Sequence, residues 1–130
     1  MTIPVYYTYV KKVKGIKKQV TELVGLNQIY NMHYMARAKM VKHFHHLIGA
    51  KIKAAPIQGK VKTRYVYYYK NVQSDAPNVV AGIDKLFMDA LQNSKVIKDD
   101  NVLNYIGSSW EVGGQDKKNP RIEVQLFEVS

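Results

Sequence analysis

Lys60-Val61-Lys62-Thr63-Arg64-Tyr65-Val66-Tyr67-Tyr68-Tyr69-Lys70 alternates with a period of two. Shortly after it, Pro77-Asn78-Val79-Val80-Ala81-Gly82-Ile83-Asp84-Lys85-Leu86-Phe87-Met88-Asp89-Ala90-Leu91-Gln92 repeats its apolar residues at three and four. The first stretch predicts a strand: Val61, Thr63, Tyr65, Tyr67 and Tyr69 face a core, and Lys60, Lys62, Arg64, Val66, Tyr68 and Lys70 form a basic-aromatic face. The second predicts a helix over 77–92, because Pro77 pre-sets its first turn and Val79, Val80, Ile83, Leu86, Phe87, Ala90 and Leu91 make a wide apolar face. Asn78, Gly82, Lys85 and Asp89 share the opposite face.

On the N-terminal side, residues 3–13 are rich in β-branched and aromatic types and read as a strand; Lys14-Gly15 reads as a turn, and 19–24 as a second short strand. Residues 28–53 read as a long helix capped by Asn27 or Asn31. Its buried stripe is Tyr34, Ala38, Val41, Phe44, Ile48 and Ile52, with Met35, Lys39, Lys42, His46 and Lys53 solvated. On the C-terminal side, 102–111 and 120–129 read as strands, joined by a turn segment running from Gly113-Gly114 to Asn119. The order β(β)αβαββ predicts an α/β (α+β) domain spanning 1–130, a small mixed β-sheet packed with two main helices.

Charge is unevenly distributed. Residues 1–73 carry fourteen Lys and Arg against Glu22 alone, whereas 74–130 carry six against nine acids, which leaves the chain at +10. Such a bias favours a polyanion, nucleic acid first. A membrane partner is disfavoured, since no basic amphipathic helix with Trp or Phe on its apolar face is present and no apolar run approaches the roughly 18 residues of a spanning helix. The absence of cysteine excludes disulfides, thiolate metal sites and cysteine nucleophiles. With the tyrosine-rich start unlike a signal peptide, the expected compartment is cytoplasmic.

Asp75, Asp84, Asp89, Asp99 and Asp100 fall within 26 residues of this basic chain. A strand end, a helix face and the loop after it can converge, so these acids are candidates to hold magnesium, with manganese as the alternative, against a phosphate. Lys85 is a candidate to stabilise developing charge on that phosphate. Each residue also has a plainer role open to it: Asp75 as a helix cap, Lys85–Asp89 as a surface pair at i,i+4, Asp99-Asp100-Asn101 as a polar turn, and Asp84 as a solvated residue.

The runs Asp75-x-x-Asn78, Asp84-Lys85-Leu86-Phe87-Met88-Asp89-Ala90-Leu91, Asp99-Asp100-Asn101 and Pro120-Arg121-Ile122-Glu123-Val124 come in an order that resembles the RusA family of Holliday-junction resolvases. That family's pattern is roughly D-x-D-N, a helix with K-x-x-x-D-A-L, a D-D loop and a final strand opening P-R-x-E-V. The resemblance covers most of 26–129. It implies a homodimer that resolves four-way DNA by paired, symmetric, magnesium-dependent nicks. It also implies Asp75, Lys85, Asp89, Asp99 and Asp100 as catalytic residues, with Asp75, Asp89 and Asp100 on the metal. Pro77 stands where the family usually has its second Asp, and about one helical turn is added between Asn78 and Lys85. Arg37, Lys39, Lys42, Lys62, Arg64, Lys70 and Asn78 are the expected nucleic-acid contacts.

Other constellations carry less. His33, His43, His45 and His46 lack ligand spacing and read as solvated or packed helix residues. Gly113-Gly114 opens no helix, and no serine lies in a G-x-S-x-G run. Tyr68, among cations on its strand face, could stack on an unpaired base or pack on protein. Three functions remain open at this point: a junction endonuclease, a junction-binding protein of the same fold that cuts poorly or not at all, and an RNA-associated factor.

Overall fold

In the computed structural model, which describes residues 1–52 and 56–129, the chain begins with β1 (Thr2–Pro4), β2 (Tyr6–Val13) and β3 (Ile16–Leu23). The helices α1 (Leu26–Asn31) and α2 (Tyr34–Lys51) follow, then β4 (Lys60–Tyr69), α3 (Ala76–Asn93), β5 (Tyr105–Gln115) and β6 (Arg121–Val129). The fold is mixed α+β. Four strands form a sheet in the order β1-β6-β4-β5, parallel between β4 and β5 and antiparallel elsewhere; β2 and β3 pair apart as a two-stranded sheet. Among the described residues no helix is long and apolar enough to cross a membrane.

β4 follows its alternation. Val61, Thr63, Tyr65 and Tyr67 are buried under α3, and Lys60, Lys62 and Arg64 are exposed on the other side of the sheet. α3 buries every apolar residue of its predicted face, each contributing about 1.5–3 kcal/mol of transfer free energy for a large side chain. The rings of Tyr65 and Phe87 meet edge to face with centroids 6.3 Å apart, locking helix to strand. Gly82, expected on the polar face, is instead buried. A Cβ there would stand 2.8 Å from the Gly25 carbonyl carbon and 2.9 Å from the Leu26 nitrogen, so the start of α1 packs directly on the α3 backbone.

The N-terminal half departs further from expectation. The predicted 3–13 strand breaks at Val5, which is buried and whose carbonyl accepts from the Val24 amide. β1 stays on the edge of the main sheet, where Pro4 needs no donor, while β2 leaves to pair with β3. The predicted 28–53 helix is two helices. His33 caps α2 through Nδ1, which accepts from the Met35 amide at 3.3 Å. The residues that α2 buries are Met40, Phe44 and Ile48, whereas Tyr34, placed in the predicted stripe, is exposed. Apolar and basic residues are spread so evenly around α2 that tertiary packing, not periodicity, sets which face goes inward. The expected end at Lys53 lies outside the described residues. Gly113-Gly114, expected as a turn, lies within β5 beside a register shift in its pairing with β4 at Tyr67/Tyr68.

Candidate nucleic-acid interface

Gln28 of α1 bonds Asn78 near the start of α3, and Gly49 of α2 comes close to Ser94 at its end, so α1–α2 run beside α3 in the same direction. Between α2 and α3 lies a groove of about 940 Å³, and its charged lining is basic: Arg37, Lys42 and Lys85, with His45 and His46. The buried Nε2 of His45 has no hydrogen-bond partner. Lys85 stands 3.8 Å from Asp89 across one helical turn, a half-exposed pair that leaves the ammonium available to an arriving anion.

The expected phosphate contacts divide between two sides of the molecule. Arg37 and Lys42 line the groove, and Lys39 is exposed elsewhere on α2. Lys62 and Arg64 lie on the far side of the main sheet, where Arg64 is ion-paired with Glu111 of the neighbouring strand. Lys70 sits 5.7 Å from the centre of the Tyr6 ring. Tyr68 packs on protein: Arg121 lies 4.1 Å over its ring, and Gly113 leaves the room that a side chain would take from it. Asn78 is committed to the fold. Its Oδ1 accepts from the Asn27 amide at 2.9 Å and its Nδ2 donates to Gln28 Oε1 at 2.8 Å, so it closes the α1 N-terminus that neither predicted cap closes.

The acids divide as well. Asp75 is the N-cap of α3 and accepts from the Asn78 amide at 3.3 Å, with Pro77 in the first turn as its fixed φ favours. Asp89 lies fourteen residues on, about 21 Å along a continuous helix. Asp99 sits at the far end of α3, where it accepts from Gln92 Nε2 at 3.1 Å and from the Asp100 amide at 2.7 Å; Asp100 itself is exposed. Asp89 and the Asp99-Asp100 loop therefore lie toward the C-terminal end of α3, Lys85 near its middle, and Asp75 at its N-terminal end. No group of three His, Cys, Asp or Glu among the described residues could hold an ion. The ligand set Asp75, Asp89 and Asp100 does not fit one magnesium or manganese within a single chain.

Asp84, expected to be solvated, is half-buried on the inner side of α3. It accepts from the Tyr65 hydroxyl at 2.5 Å and the Tyr105 hydroxyl at 2.7 Å. Tyr105 also meets Thr63 Oγ1 at 2.5 Å, and Thr63 donates to Ser108 Oγ at 3.0 Å, which joins β4, α3 and β5 by one polar chain. Burial first, then the Asp84 charge, pushes the Tyr65 hydroxyl far above its ordinary value; Tyr105 is raised too, chiefly by burial. The sequence carried a signal for this: Asp84 lies between Val80 and Phe87 on the border of the apolar face, and inward tyrosines need polar partners. His45 and His46 in the groove carried no comparable signal.

No protein-family model matches this chain, and no curated protein matches it in sequence.

Proposed function

We propose that this protein binds nucleic acid through phosphate contacts, with branched DNA as its substrate class, and that a single chain binds without cutting. The observation that carries the reading is a set of cations without acid partners. Among the described residues only Arg64, Lys85 and Arg121 take part in ion pairs, in a chain of net charge +10. Cations left unpaired at this density repel one another and gain most from a polyanion, whose condensed counterions they displace. Arg37 and Lys42 stand in the groove beside Lys85, spaced along a concave track that suits a sugar-phosphate backbone. The branched-DNA class comes from the resemblance of the Asp75, Lys85–Leu91, Asp99-Asp100 and Pro120–Val124 runs to the RusA family.

A second reading keeps the endonuclease. Lys85 lines the groove from the middle of α3, Asp89 and the Asp99-Asp100 loop lie toward the helix's C-terminal end, and in a homodimer a second copy would supply Asp75. The test is a mobility-shift comparison of a four-way junction, linear duplex and structured RNA at about 50 and about 200 mM salt, repeated with magnesium or manganese and scored for nicks. The expected result is junction binding that weakens steeply with salt and leaves the DNA intact. Absence of binding at the lower salt, or a clear preference for RNA, overturns the DNA reading. Nicking abolished by Asp75→Asn or Asp100→Asn, in a protein that sediments as a dimer, establishes the second reading in its place.

A further inference from the structure

The β2–β3 hairpin is the most basic element of the chain; it lies outside the groove, and only its base packs on the core. Five lysines (Lys11, Lys12, Lys14, Lys17 and Lys18) fall within eight residues, and the register sets Lys11 opposite Lys18 and Lys12 opposite Lys17. Like charges directly opposite destabilise a strand pair. No acid of the hairpin relieves them: Glu22 lies at its base, opposite Tyr7. Lys14 and Gly15 turn the chain with φ of 52° and 80°, the two positive values of a tight hairpin turn.

The base of the hairpin is anchored and its end is free. Tyr7 packs on His43 and Phe44 of α2, and the Thr8 and Thr21 hydroxyls bond at 2.7 Å. Residues 10–19 are all exposed, so four residue pairs stand clear of the body and reach roughly 10–14 Å. Alternation puts Lys11 and Lys18 on one face and Lys12 and Lys17 on the other. Cations on both faces suit a slot with anionic walls on two sides. A flat anionic surface such as a bilayer meets only one of those faces. The major groove of duplex DNA is such a slot, about 12 Å wide and able to admit a two-stranded ribbon.

We infer that the β2–β3 hairpin is an arm that enters the major groove of duplex DNA, with the Lys11/Lys18 and Lys12/Lys17 pairs turned toward opposite phosphate walls. The inference rests on the nucleic-acid reading and adds the contact surface that the groove between α2 and α3 does not supply.

The test is the variant Lys11→Gln/Lys12→Gln/Lys17→Gln/Lys18→Gln, with fluorescence anisotropy on duplex and on single-stranded DNA from about 50 to about 200 mM salt. The salt slope on duplex should fall by about 3–4, near 0.9 for each lost phosphate contact, and the slope on single strand should fall by less. Thermal stability without DNA should not drop, because the substitutions relieve repulsion between exposed side chains. A Lys→Arg version at the same four positions should keep the wild-type slope and controls for misfolding of the arm. An unchanged duplex slope overturns the arm. If Arg37→Gln/Lys42→Gln weakens binding while the hairpin variant does not, the arm fails and the nucleic-acid reading stands. An equal loss on single strand overturns the groove geometry, as does loss of binding to phosphatidylserine vesicles with duplex binding intact. A wild-type protein that binds no DNA removes both readings.

Discussion

Replacing Asp84 with alanine should be the most destabilising single change to any of the clustered aspartates. Its carboxylate accepts two tyrosine hydroxyls, at 2.5 Å from Tyr65 and 2.7 Å from Tyr105. A hydrogen bond to a charged acceptor contributes about 1.5–3 kcal/mol, and a buried donor left without a partner costs about 1–3 kcal/mol. The two losses are unequal here. Tyr105 retains Thr63 Oγ1 at 2.5 Å, so the fully buried Tyr65 carries most of the penalty. The expected cost of Asp84→Ala is therefore about 2–4 kcal/mol. Asp84→Asn keeps an acceptor oxygen without its charge and should cost about 1 kcal/mol. Asp100→Ala, at an exposed position, should cost less than about 0.5 kcal/mol. Urea unfolding midpoints at constant m-value read these differences directly. If Asp84→Ala unfolds within about 1 kcal/mol of the wild type, the polar chain joining β4, α3 and β5 is not a stabilising element and Asp84 behaves as a surface residue.

Two further outcomes follow from the packing. Gly82→Ala should destabilise by about 1–3 kcal/mol despite its better helix propensity, because the new Cβ meets backbone atoms of Gly25 and Leu26 that cannot step aside. Gly49→Ala meets only the Ser94 hydroxyl at 3.2 Å and should be neutral or slightly stabilising, so equal melting temperatures for the two variants would contradict the close α1–α3 contact. In alkali, Tyr65 and Tyr105 should stay protonated in the native state above about pH 10, where an unfolded chain ionises. Their stabilisation is complete below about pH 10 and declines as pH rises beyond it, by about 1.4 kcal/mol per pH unit for the buried Tyr65 and by less for the half-exposed Tyr105. Tyrosinate absorbance should show a late class that ionises only with unfolding; all ten tyrosines titrating together near pH 10 in an intact fold would refute this.

β4 and α3 were legible because each carries one strong period over ten or more residues, and the mixed sheet follows from them. The break at Met32-His33 was not legible, since the apolar residues on either side suit one continuous helix, and only the contact of Gly25 and Gln28 with Asn78 and Gly82 fixes α1 separately. Gly113-Gly114 misleads for a related reason. A glycine pair ordinarily signals a turn, but here Gly113 leaves space beneath the Tyr68 ring of the adjacent strand. In the candidate site, Lys85 and Asp89 share a helix face as their spacing requires. Asp75 could be read as a cap or as a ligand, and its bond to the Asn78 amide fits the cap. The distance from Asp75 to the remaining acids depends on α3 being one unbroken helix of eighteen residues.

That distance bears on what one chain can do. Two aspartates on one magnesium keep their Cα atoms within about 11 Å, given metal–oxygen distances near 2.1 Å. Asp75 and Asp89 are about 21 Å apart along α3, and Asp99 is tied to Gln92, about 25 Å from Asp75 along the same axis. No rotamer change closes such a gap; only a second chain or an unwound helix does. The acids meanwhile have work inside the fold: Asp75 caps α3, Asp84 anchors two tyrosines, Asp89 faces Lys85, Asp99 orders its loop, Glu111 holds Arg64, and Asp116 and Glu123 hold Arg121. Seven of the nine acids of 74–130 are engaged in this way, and among the described residues Arg64 is the one cation of 1–73 with an acid partner, so the hairpin lysines and the groove's Arg37 and Lys42 have none. The charge asymmetry thus leaves most of the acids to the fold and most lysines and arginines of 1–73 without an acid partner, a repulsion that the proposed polyanion would relieve.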